Sequence, residues 1–180
     1  MTATQQDKDE TGATIWVRSD VTPDGIYTAA IHFSDDRSRV LDHDAGMRYV
    51  HAVVAAAARA EHDAAVVRQL TSLGLPRQAV GEAVQSLRED RPPLDHTATA
   101  PLRLEPGVSG QTGEAFITVI IDDKPVGQWT ADDARSHAVG VLEVFTAVDL
   151  DAAYRRYLVA TVGLDLPTAT AVVTGLGEHM

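Results

Sequence analysis

Two pairs of charges are the strongest chemical signal in the chain. Glu61 and Arg68, and again Asp149 and Arg156, place a carboxylate and a guanidinium seven residues apart in segments otherwise rich in Ala, Val, Leu and Phe. On a helix, these charges would project from an apolar stripe. Burying either sign alone costs several kcal/mol, so each side chain needs a partner. Seven residues cover about 10 Å of helix axis, too long for contact within one helix. Antiparallel packing with Ala64 and Ala65 opposite Ala152 and Ala153 brings Glu61 to Arg156 and Arg68 to Asp149 about a pseudo-twofold axis. Register-setting ion pairs are therefore the expectation, ahead of solvated charges on a bent helix or a charged binding site.

Other constellations point to structure more than to catalysis. His43 lies between Asp42 and Asp44, which suit a helix N-terminus. His51 and His62 are about three turns apart, too far to share an ion. Asp35-Asp36 and Asp122-Asp123 fall in turn-like segments, where aspartate bonds its own backbone. His32 alternates with core residues on a strand, and Trp16 and Trp129 read as core plugs. No G-x-S-x-G elbow, phosphate-binding loop or dinucleotide glycine pattern is present. No catalytic, cofactor-binding or metal residue is assigned.

Composition narrows the classes further. The 180 residues carry 26 acidic and 15 basic side chains, a formal charge of −11, which opposes non-specific attraction to nucleic acid or an anionic membrane. Arginines at 68, 77 and 88 flank a helix-turn-helix-like stretch, but both halves of the chain are net negative. The absence of cysteine removes disulfides, thiolate metal sites and a thiol nucleophile. No apolar run reaches transmembrane length, and the first residues lack a signal-peptide pattern, so a cytoplasmic location is expected. Lys8 and Lys124 are the only lysines, an arginine bias that suits a high-GC bacterium or its phage.

The elements that carry these residues repeat. A shift of 88 residues, the separation of Asp63 and Asp151, lays 41–70 on 129–158 without a gap. It matches Asp44 with Asp132, Val53 with Val141, Asp63-Ala64-Ala65 with Asp151-Ala152-Ala153, and Leu70 with Leu158. Extended backwards, it aligns alternating strands ending near Phe33 and Ile121. Each half then reads as strand, strand, short third strand, long helix and shorter helix. The long helices open at Asp42 and at Thr130, where Thr130 with Asp133 resembles a capping box. The expected fold is α+β: two tandem diverged ββ(β)αα repeats in a pseudo-twofold body, with antiparallel hairpins and long packed helices. Its parts are a disordered tail (1–12), repeat unit 1 (13–90), a linker (91–100) and repeat unit 2 (101–180). The Ala55 to Ala58 run is thin where the other half offers Val144 and Phe145, so Phe145 is expected in a shared core over those small residues.

These features favour a small cytoplasmic, non-enzymatic regulator or adaptor whose partner is another protein. No cofactor or membrane contact is expected, nucleic acid is disfavoured, and a homo-oligomer is allowed. The alternatives are a nucleic-acid-associated regulator or acidic anti-repressor or defence inhibitor, and an enzyme with a cleft between the two units.

Overall fold

The computed structural model describes residues 15–22, 25–33, 37–95 and 102–178. The fold is α+β, with two three-stranded antiparallel sheets and four helices. In chain order the elements are β1 (Ile15–Val21), β2 (Tyr27–Phe33), β3 (Ser38–Leu41), α1 (His43–Ser72) and α2 (Arg77–Glu89). The second half supplies β4 (Leu102–Val108), β5 (Ala115–Ile121), β6 (Lys124–Trp129), α3 (Ala131–Tyr157) and α4 (Leu166–Glu178), with a π-helical stretch, Leu158–Val162, extending α3. Each half thus runs through three strands and two helices in the same order.

Local chemistry explains the boundaries. In the first sheet the pairs Ile15 with Phe33 and Val17 with Ile31 put apolar residues on one face, as period-two alternation requires. Leu102 with Ile121 and Leu104 with Val119 do so in the second. The loops joining the first two strands of each sheet end at Gly25 and Gly113, with φ of 75° and 73°. The β5–β6 turn is Asp122-Asp123, both with positive φ, the two-residue geometry that suits the twist of a hairpin. Asp42 caps α1, its Oδ1 accepting the Ala45 N–H at 2.7 Å. At α3 the expected capping box forms: the Asp133 N–H donates to Thr130 Oγ1 at 3.1 Å, and Asp133 Oδ2 accepts the Thr130 N–H at 3.1 Å.

The compact units cut across the sequence halves. One joins β1, β2, β3 and the first turn of α1, up to Gly46, to everything described from Val139 onward; the other is Met47–Ala138. In the first unit Ile31, Phe33 and Leu41 share a core with Val141, Phe145, Val148 and Val173. In the second, Val53, Ala56, Ala60, Val80 and Val84 share one with Leu104, Ile117 and Trp129. Each core therefore draws on both halves of the chain. The expected tail, 1–12, lies outside the described residues, as does 96–100 of the expected linker.

Phe145 is buried, as expected from sequence, and the residue it covers is Gly46. A Cβ at Gly46 would overlap the ring, so only glycine fits there without displacing it. His43 meets the same ring edge-on, with centroids 5.4 Å apart.

Candidate functional site

The four charges singled out from sequence are not buried. Glu61, Arg68, Asp149 and Arg156 all occupy exposed positions. Glu61 has its partner in Arg135, whose guanidinium bonds both carboxylate oxygens and also reaches Asp132 at 3.3 Å. Those hydrogen bonds hold the Glu61 carboxyl below its ordinary pKa. The cost of burial that motivated crossed pairing thus does not arise. The reason is helix phase: consecutive residues are 100° apart, so the buried rows of α3 pass through Val141, Val148 and Phe145, and Asp149 and Arg156 stand beside them.

The buried charge is Asp63, fully enclosed on α1. Arg88 Nε of α2 donates to Asp63 Oδ2 at 2.7 Å, and Arg91 Nη2 stands 2.6 Å from Oδ1. Arg91 also reaches the exposed His62 ring at 3.0 Å. A fully buried carboxylate survives only when paired, and here both partners come from α2 and the turn after it. The cluster fastens that helical arm to α1. Sequence offered one hint, an aspartate in phase with Ala56 and Ala60, but nothing in it showed that Arg88 and Arg91 would return to meet it.

A second polar group in this unit sits among aromatic rings. The Tyr49 hydroxyl lies 2.9 Å from His137 Nε2, and Trp129 tilts against the same imidazole with centroids 4.8 Å apart. Burial lowers the His137 pKa to about 4, so the ring is neutral, and its Nε2 shares a hydrogen bond with the phenol whose direction is set by the imidazole tautomer. In an unfolded chain the imidazole titrates near 6.5. Between these values the unfolded state takes a proton that the fold refuses, so stability is complete above pH 6.5 and falls as pH drops toward 4. The span corresponds to about 3 kcal/mol. Chemical denaturation from pH 7.5 to 4 should show this decline, and His137→Gln, neutral throughout, should flatten it. An equal decline in both proteins would assign the effect to other groups.

The first unit has its own cluster, around the Gly25 loop. Arg155 donates to the Gly25 carbonyl and stacks over Tyr27, 4.8 Å from the ring centroid. The Ser19 hydroxyl meets Asp151 Oδ2 at 3.4 Å. Burial raises the Asp151 pKa against the opposing Ser19 bond, and raises that of Tyr27. The contacts of Ser19 and Gly25 tie β1 and the β1–β2 loop to the end of α3. His32, expected to be half-buried, stacks on Trp16 at 5.6 Å and accepts from Arg18 Nε at 3.1 Å. Trp129 is buried and Trp16 partly so. Among the described residues no three His, Asp or Glu side chains converge as a metal set, and no helix is long and apolar enough to cross a membrane.

The surface feature that structure does not explain away lies on α3 within the first unit. Val139 (53% exposed), Leu142, Leu150 (65%), Tyr154 and Tyr157 (53%) follow one another at intervals of three, eight, four and three residues along one helix face. Thr146 and Ala153 fill the gaps in that face and are also exposed. Tyr154 and Tyr157 stack on each other with centroids 6.5 Å apart. Isolated apolar residues are ordinary at a surface, but five large ones on one helix face, interrupted here by Glu143 and Thr146, mark a place where something binds. Comparison with known protein families, curated proteins and solved structures found no match.

Proposed function

We propose that the chain is a small, cytoplasmic, non-enzymatic regulator or adaptor that works by binding protein. The observation that carries this reading is the exposed stripe of Val139, Leu142, Leu150, Tyr154 and Tyr157. Tyrosine suits such a surface, since it offers large area with few rotatable bonds and a polar tip that tolerates water. The polar clusters at Asp63, His137 and Asp151 are each engaged in holding elements together, which leaves the stripe as the unspent surface. The formal charge of −11 favours a protein partner over a polyanion. We also infer that the two halves descend from one duplicated ββ(β)αα unit. The 88-residue alignment, the matching order of elements, the equivalent loops at Gly25 and Gly113 and the matching helix caps support that descent.

The test is affinity capture from an extract of the source cell, comparing the native chain with a Leu150→Asp, Tyr157→Asp variant. Partners retained by the native chain and lost by the variant are expected. Identical captured sets, with both proteins folded, would exclude the stripe as the working surface.

A further inference from the structure

The stripe on α3 is close to self-complementary, and this selects one occupant. Asp149 and Arg156 lie on one flank, equidistant from a point between Ala152 and Ala153. On the other flank Leu150 and Tyr154 stand within one residue of the same symmetry. A twofold axis perpendicular to the helix, through that point, would turn a second α3 antiparallel and set each flank against its own counterpart. Asp149 would then meet Arg156 of the second copy, twice over, while Leu150 would meet Tyr154. The exposed Ala153, near the axis, lets the helices approach closely. A parallel twofold arrangement would instead set the charged flank against the Leu150 and Tyr154 flank, leaving Asp149 and Arg156 without opposite charges. Neither Asp149 nor Arg156 has an ion-pair partner among the described residues.

We propose that a second copy of this chain docks on this face, α3 against α3, in the antiparallel register that crosses Asp149 with Arg156. The inference rests on the reading of the stripe as an interaction surface and adds the identity of a partner. Leu142 to Tyr157 covers about 22 Å of helix, which places the contact at the small end of specific interfaces, below ~1,200 Å². The dimer is therefore expected to be weak and reversible, with dissociation in the micromolar range.

Sedimentation equilibrium of the full chain from about 5 to about 500 μM should show a concentration-dependent dimer. Asp149→Arg alone and Arg156→Asp alone should each weaken it at least about tenfold, and the two together should restore it to within about threefold. Because the chain lacks cysteine, Ala153→Cys places a lone thiol near the axis. It should give a disulfide-linked dimer on mild oxidation, where Glu82→Cys on α2 should not. All these positions are exposed, so far-UV circular dichroism should be unchanged. A monomer throughout the range, or a dimer indifferent to both charge reversals, overturns the proposal. If a monomeric native chain still loses captured partners on Leu150→Asp, Tyr157→Asp, only the self-association is wrong. A dimer that captures no partner defeats the adaptor reading alone.

Discussion

Replacing Arg88 and Arg91 together by methionine is expected to cost about 3–5 kcal/mol of stability, because it leaves the enclosed Asp63 carboxylate without a counter-charge. The opposite deletion should be milder. Asp63→Leu removes the one charge that cannot reach water, while both arginines are partly exposed and can turn outward. Combining the three substitutions should recover most of the loss, since an apolar replacement of a whole buried ion cluster is often neutral. Urea denaturation of the three variants gives the ordering directly. If the double arginine variant proves no less stable than Asp63→Leu, the carboxylate is hydrated and the cluster is not the fastening it is taken to be.

Phe145→Ala should be comparably severe, at about 3–5 kcal/mol, since it empties the centre of the first unit's core. Gly46 makes the effect diagnostic. In the native chain Gly46→Ala pushes the aromatic ring aside and should cost about 1–3 kcal/mol. In the Phe145→Ala background the obstruction is gone, and alanine in a helix should stabilise by roughly 0.5–1 kcal/mol. A double-mutant cycle reads this reversal of sign. Equal effects of Gly46→Ala in both backgrounds would show that the ring does not rest on the glycine.

Sequence carried the local signals well and the long-range ones poorly. The alternation in Tyr27–Phe33 and Ala115–Ile121, the cap at Asp42 and the capping box at Thr130 are set by neighbours within a few residues, and each was legible. Phe145 was legible as a core residue, but the small residue beneath it is Gly46, not one of the Ala55 to Ala58 run. Helix phase was harder. In α3 the rows 141/148 and 142/149/156 are one residue apart, and alanine is too permissive a residue to say which row faces inward. Reading Val141, Leu142, Phe145 and Val148 as one broad stripe made Asp149 and Arg156 look buried and let Asp63 pass as one member of a repeat. The stripe of Leu150, Tyr154 and Tyr157 was hidden for the same reason, because an apolar residue in sequence is assigned to a core until a structure shows what covers it. The Asp63 cluster needed a return of the chain through 25 residues to Arg88, which no local pattern encodes.

The division of the chain into interleaved units has a consequence for the order in which the protein can be made. The first three strands leave the ribosome early, yet the residues that fasten them, Asp151 on Ser19 and Arg155 on Gly25, follow 132 and 130 positions later. Closing such long loops is slow, and an unshielded sheet is exposed to other chains while it waits. Among the described residues the second unit is the single stretch Met47–Ala138, fully synthesised before Val139. Birth order therefore favours the middle of the chain as the first settled part, with the N-terminal sheet held open until the C-terminal helices arrive to close it.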